Sequence, residues 1–328
     1  MEIDFVIPWV DDQDPVWIQK KESFLSGETN REQNEQRFRD FGTLKYLIRS
    51  IEKNANWVHK IWIITDGQQP TWLSNNNSRV EVVDHKAFIP EEYLPTFNSN
   101  AIELNMWRIE GLSENFVALN DDFLFLNKVN PTDFFRENGE IVDTTAQFVA
   151  MPRDEFAHIA LNNISLINNN FDKRVWLKGH WREAFSIKNG LPLLIYSLLL
   201  SPLPYFTRFY DPHVGIPFKK RSFETAWTLF DTVFQQTSAT KYRSITNVSI
   251  WVIRYLQLLT EKVYVRKIKF GKYLTMSQPE RLKKMINKRS IKMVVLNDQV
   301  SSESDEILAG KTLALLENVF SNKSEFEK

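Results

Sequence analysis

The fold is decided by Leu94–Phe125, LPTFNSNAIELNMWRIEGLSENFVALNDDFLF. Asn100 followed by Glu103 has the spacing of a capping box, with Asn in place of Ser or Thr. Ile102, Met106 and Ile109 then recur at helical spacing and predict a buried stripe. Gly111 reads as the helix stop. Phe116–Leu119 reads as a short buried strand, and Asn120, Asp121 and Asp122 follow at its carboxyl end. Ligands of open α/β sheets bind outside the carboxyl ends of the strands. Paired carboxylates there are suited to a hard cation, Mg2+ or Mn2+, which prefers oxygen ligands and could bridge to the phosphates of a nucleotide donor. The bland alternative is a solvated Asn-Asp-Asp turn.

Working back toward the amino terminus, Ile3–Val10 predicts a buried strand that empties into Asp11, Asp12, Asp14 and Pro15. Asp14 with Pro15 suits a helix start, which leaves Asp11 as the carboxylate free to meet a ligand. Leu44, Leu47, Ile48 and Ile51 mark an amphipathic helix. Arg37 and Arg39, just before it, could clamp a diphosphate or form a plain surface pair with Asp40. Lys60–Thr65 and Arg79–Val83 are further strands, followed by Asp66-Gly67 and by Asp84-His85. His85 is either a ligand contact or a structural hydrogen-bonding residue. Strands separated by helices in this order predict a mainly parallel sheet. Val294–Leu296, followed by Asn297 and Asp298, repeats the strand-then-acid pattern and could bring another carboxylate to the same site.

The chain has 328 residues, 43% hydrophobic and 25% charged, as in ordinary globular proteins, with a formal net charge of zero. No global field favours nucleic acid. The chain has no cysteine, which excludes disulfides and thiolate metal sites and fits a reducing compartment, so a cytoplasmic location is expected. Met1-Glu2-Ile3-Asp4 is not a secretory signal, and the chain is expected to begin with its first strand.

In the second half, Asp143–Met151 reads as a strand and Asn162–Asn170 as a polar segment wrapping the site. His158 and His180 have no partners at zinc spacing. Leu191–Phe206, LPLLIYSLLLSPLPYF, is the most apolar stretch; it is too short to span a bilayer and is broken by prolines. It predicts a buried helix or, alternatively, an apolar patch on the inner face of a membrane. Tyr210–Pro217 forms a tight turn that could aim His213, whose ring could take a proton from an acceptor hydroxyl. Phe223–Phe234 predicts a helix and Leu308–Phe320 a final one. Lys262–Lys292 is strongly basic, a solvated face or a contact for an anionic acceptor or lipid headgroups.

Taken together, these segments resemble the Stealth family of sugar-1-phosphate transferases, which includes bacterial capsular polysaccharide phosphotransferases and the lysosomal-enzyme GlcNAc-1-phosphotransferase. Four blocks carry the likeness: DFVIPWVDDQDPVW at Asp4–Trp17; the long run from RFRDFGTLKYLIRS through VDHKAFIP and LPTFNSNAIELNMWRIEGLS to LNDDFLF; DPHVGIPFKK at Asp211–Lys220; and LND at Leu296–Asp298 with the terminal FSNKSEFEK. The chain departs from the family where Asp11-Asp12 replaces the usual Asp-Gly, where Gly215 interrupts a proline-rich stretch, and where Trp107 replaces a frequent His.

The resemblance implies transfer of a hexose-1-phosphate from a UDP-sugar to a hydroxyl of a glycan or lipid-linked oligosaccharide, releasing UMP. It implies that His213 is the base and Arg243 a phosphate clamp, with Arg39 a second clamp. Asp121, Asp122 and Asp298 are the expected metal ligands, and Asp11 and Asn120 are expected beside the nucleotide. Rival readings are a metal-dependent glycosyltransferase releasing UDP and a non-catalytic carbohydrate-binding protein. The expected fold is α/β, a Rossmann-like, GT-A-like and mainly parallel sheet flanked by helices, with a mostly helical C-terminal part. Residues 1–150 would form the nucleotide-sugar core and residues 151–328 an acceptor-side region packed on it.

Overall fold

A computed structural model describes residues 1–25, 38–74, 77–151 and 154–328. Its strands are β1 Ile3–Pro8, β2 Ile61–Thr65, β3 Val80–Asp84, β4 Asn115–Ala118, β5 Phe123–Phe125, β6 Ile141–Asp143, β7 Ile216–Lys219, β8 Val263–Val265, β9 Gly271–Thr275 and β10 Met293–Asn297. The main sheet runs β3-β2-β1-β4-β7; the first four strands are parallel and β7 is antiparallel to β4. Its central strands are continuous apolar runs because both faces are covered. Phe5, Ile7, Ile61 and Ile63 face one layer with Leu44, Leu47, Ile48 and Ile51 of helix Thr43–Asn54. Val6, Trp62 and Ile64 face the other, with Leu104, Met106 and helix Trp251–Thr260. The strand period of two sorts neighbouring residues into the two layers.

Residues beyond 150 supply β7 to the main sheet, β9 and β10 to the sheet β5-β10-β9, and β8 to the pair β6-β8. The division at residue 150 is therefore not a division of the sheets. The carboxyl-terminal tail is tied to the core by Arg49, which is buried. Its Nε and Nη2 donate to both Glu327 carboxylate oxygens, at 2.6 and 2.8 Å, and its Nη1 to the Phe320 carbonyl at 2.7 Å. Arg49→Ala leaves the Glu327 carboxylate buried without its partner. We expect a loss of about 3–5 kcal/mol in urea-denaturation stability; an unchanged unfolding midpoint would show that the tail contributes nothing.

Several expectations need correction. Asn100 and Glu103 do not form a capping box. Asn98 caps helix Ser99–Asn105 by accepting from the Asn100 amide, which frees Glu103. The strand expected over Asp143–Met151 is confined to Ile141–Asp143. The asparagine-rich segment is the end of helix Glu155–Asn170, whose Asn162, Asn163 and Asn168 amides bind neighbouring loops. The helix expected at Phe223–Phe234 is two, Lys220–Leu229 and Asp231–Ala239. Helix Leu191–Leu200 is not buried: Leu191, Leu198 and Leu199 are exposed. Arg37 and the polar segment 26–36 lie outside the described residues. No helix among the described residues is long and apolar enough to cross a membrane.

Candidate active site

A cavity of about 620 Å3 opens at the carboxyl ends of the central strands. Pro8, Trp9 and Val10 at the end of β1, Asp66 after β2, His85 after β3 and Asn120, Asp121 and Asp122 after β4 line it. Arg39, Arg243, Asp298, Glu103, Asp154 and Glu155 complete its charged wall. The fold thus brings together most of the candidates read from the sequence, although they lie far apart along the chain.

The acidic turn is strained electrostatically. Burial is the largest cause raising both carboxyls: Asp122 is pushed up to about 7, and Asp121 well above its usual range, with the charges of Asp122 and Asp40 adding to the effect. Asp122 Oδ1 is buried with no hydrogen-bond partner. Two desolvated carboxylates with an unused oxygen suit a hard cation, which would relieve both penalties.

Asp298 does not join this pair as expected. Among the described residues no three His, Asp or Glu side chains come close enough to hold an ion. Asp298 Oδ2 lies 2.8 Å from Arg39 Nε as an ion pair, though not aligned as a hydrogen bond, and Oδ1 accepts from the Val300 amide. Arg39 Nη2 also donates to the Val300 carbonyl. The preference of a carboxylate for a nearby guanidinium over a second carboxylate explains the difference.

Asp11 does not line the cavity. Its Oδ1 accepts from the Gln13 amide in a local turn, and its backbone is clamped by Gln68. Asp14 caps helix Pro15–Leu25 through the Val16 amide, as its pairing with Pro15 predicts. Arg243 Nη2 donates to Ser99 Oγ at 2.5 Å.

His213 lies outside the main cavity. It lines a neighbouring pocket of about 80 Å3 with Asp211, Arg266 and Tyr273. The Tyr273 ring is 5.2 Å from it, and the Tyr273 hydroxyl accepts from Gln299, a residue of the main cavity wall. Tyr273 thus lies between the two pockets, and burial first, then the charge of Asp122, raises its pKa. Burial lowers the His213 pKa against the opposing pull of Asp211, which keeps the imidazole neutral and able to accept a proton at pH 7.

The turn carrying His213 is built on a buried ion network. Arg254, fully buried, donates to Asp143 Oδ2 at 2.6 Å, to Asp211 Oδ1 at 3.0 Å and to the Tyr210 and Thr144 carbonyls. Asp211 Oδ2 accepts from Arg208 and from the Tyr255 hydroxyl. Every donor of the guanidinium is engaged, so the backbone two residues before His213 is fixed.

Two groups carry more than the sequence reading gave them. Glu103, read as a cap, faces the cavity; burial lifts its pKa to about 7 against the opposing charge of Arg243. His85 is buried, its pKa lowered to about 4 by desolvation, and its Nδ1 has no partner. Asp66 nearby has an unpartnered Oδ2, while its Oδ1 pairs with Lys20 at 2.5 Å. A polar residue at a strand end was the visible signal for His85; the shifted helix cap concealed Glu103.

Residues 1–29 match Stealth protein CR1, conserved region 1, and residues 37–143 match Stealth protein CR2, conserved region 2. The exopolysaccharide phosphotransferase cps2G of Lactiplantibacillus plantarum is 42% identical over 328 residues, covering 100% of this chain and 96% of its own. The receptor polysaccharide phosphotransferase WefC of Streptococcus gordonii is 33% identical, covering 99% of each chain. A solved structure of the galactosyltransferase LgtC aligns over 95% of both chains with a TM-score of 0.40 and 10% identity, too distant a likeness to add to the strand order itself. The match along the full length of such relatives, with conserved regions 1 and 2 falling on β1 and on the acidic turn after β4, shows that the chain belongs to the Stealth family.

Proposed function

We propose that the protein transfers a hexose-1-phosphate or N-acetylhexosamine-1-phosphate from a UDP-sugar to a hydroxyl of a glycan or lipid-linked oligosaccharide, in the synthesis of a capsular or other cell-surface polysaccharide. The observation that carries this reading is the shared cavity, in which the Asp121–Asp122 turn opens beside Arg39 and Arg243. The full-length relatives are named phosphotransferases, which favours phosphoryl over glycosyl transfer.

In this reading the acceptor oxygen attacks the β-phosphorus. The bond from that phosphorus to the bridging oxygen breaks, UMP leaves, and the sugar C1–O bond survives. His213 takes the hydroxyl proton. Arg243 and Arg39 hold the phosphate oxygens, and Asn120 lies against the donor; Arg39 gives up Asp298 when it turns to phosphate. A divalent cation, Mg2+ or Mn2+, held by Asp121 and Asp122 would neutralise diphosphate charge. The nucleoside lies across the β2 and β3 ends, where His85 and Asp66 offer unpaired polar atoms.

The test is incubation with a panel of UDP-sugars and divalent ions, followed by phosphorus NMR and nucleotide chromatography. UMP with a new phosphodiester is expected. UDP as the sole nucleotide product would make the protein a glycosyltransferase, and glycan binding without turnover would make it a carbohydrate-binding protein.

A second reading of the base is favoured by position. Glu103 lies in the cavity itself with a pKa of about 7, where a general base works best. If His213 is the base, His213→Ala lowers kcat by about 10²–10⁴ and removes the acidic limb of the pH profile. Loss of that limb in Glu103→Gln instead, with His213→Ala near wild type, would transfer the role to Glu103.

A further inference from the structure

We propose that the face built by helix Leu191–Leu200 and the turn after it lies on an anionic lipid bilayer. Leu191, Ile195, Leu198 and Leu199 are 69%, 47%, 51% and 71% exposed and share one side of the helix. Ile187 at 82%, Trp181 at 56% and Tyr205 at 63% extend the apolar surface beyond its ends. A helix on the surface of a water-soluble domain turns this side inward; here only Leu193 and Ser197 are fully buried, with Leu194 and Leu200 half-buried.

The face is built into the protein. The Gln147 backbone N–H donates to Ser197 Oγ at 2.9 Å. Lys173, itself buried, sends its ammonium beneath the patch to the Leu200 and Tyr205 carbonyls, at 2.6 and 3.1 Å. The helix and the turn are therefore held outward by polar groups that would have no reason to be there if the leucines were meant to fold inward.

Charge identifies the occupant. Arg174 and Lys178 are exposed four residues apart on the helix that anchors the patch through Lys173; beyond a kink at His180, Arg182 is exposed too, and Lys188 follows. Against these cations the stretch 172–205 sets two acidic residues, Asp172 at the helix cap and Glu183, in a chain that is neutral as a whole. A basic row beside an apolar face with exposed Trp and Tyr rings matches the headgroup region of an anionic membrane. A second copy packed symmetrically on this face would set the same cationic row near itself. Ten residues are too few to span, so the helix lies in the interface plane. This inference is independent of which transfer reaction the cavity performs.

The test is sedimentation of the full chain with vesicles of phosphatidylcholine alone or with 30% phosphatidylglycerol (about that fraction suffices to make the surface anionic), beside Leu198→Glu/Leu199→Glu, two exposed positions far from the cavity wall. Wild type is expected to bind the anionic vesicles about tenfold or more tightly than the neutral ones, and to release in high salt. The double variant is expected to stay in the supernatant with an unchanged circular dichroism spectrum. The triple change Arg174→Ser/Lys178→Ser/Arg182→Ser should abolish the preference for anionic vesicles. Failure of wild type to bind, or equal binding by the double variant, would overturn the proposal. So would a wild-type dimer, seen by light scattering without lipid, that the double variant dissociates.

Discussion

Asp122→Asn is expected to stop turnover while making the protein more stable at neutral pH. The Asp122 carboxyl is held at about 7 in the folded chain against 3.8 as the ordinary value, chiefly by burial. A group whose folded pKa is raised contributes stability that is complete below the unfolded value and is lost as pH rises through the folded one. The metal-free wild type should therefore lose stability between about pH 4 and pH 8. Each pKa unit corresponds to about 1.4 kcal/mol. Because the side chain is partly open to the cavity and shares its environment with Asp121, a gain of about 1–3 kcal/mol at pH 7.5 is expected for the amide. Turnover should fall by about 10³-fold or more if this carboxylate holds the cation. Added Mn2+ should raise the wild-type melting temperature and leave the variant unmoved. An amide variant that melts lower than wild type at pH 7.5 would contradict the electrostatic account of the turn.

The second large effect falls on Arg254. Replacing it by Met takes from buried Asp143 its nearest cation, 2.6 Å away, and from buried Asp211 one of two guanidinium partners, Arg208 remaining. Breaking a buried pair from one side costs about 3–5 kcal/mol, which urea denaturation would read directly. At a temperature where the variant remains folded, kcat should fall more than KM rises, because the Tyr210 carbonyl and Asp211 lose a shared anchor beside His213 while the donor cavity is unaltered. An increase in KM alone would place the network in donor binding, and a variant as stable as wild type would show that the ions contribute nothing to the fold.

Much of the architecture was legible because buried parallel strands are continuous apolar runs. IDFVIP, IWIIT and NFVA stand out in the sequence, and within three residues of each end a carboxylate follows: Asp11, Asp66 and Asp121. The acidic turn and the Asn297-Asp298 echo were visible for the same reason. What the sequence did not reveal depends on side-chain direction. Nothing local tells Asp11, turned to its own Gln13 amide, from a ligand-facing carboxylate. Glu103 reads as a cap until Asn98 is seen to do that work. Leu191–Leu200 has an apolar residue at nearly every position, so periodicity could not say whether protein or another medium covers it. The Arg39–Asp298 pair joins positions 259 apart in sequence (298 minus 39), beyond any local rule.

The central claim is that Asp121 and Asp122 hold a divalent ion against the diphosphate of a nucleotide donor in the cavity at the carboxyl end of β4. A crystal of the protein grown with UDP and Mn2+, measured for anomalous scattering at the manganese edge, tests this most directly. The account predicts one strong peak between the Asp121 and Asp122 carboxylates and the diphosphate, with Arg39 or Arg243 on the phosphate oxygens. A nucleotide bound elsewhere, or one bound in this cavity with manganese away from both carboxylates, would contradict it.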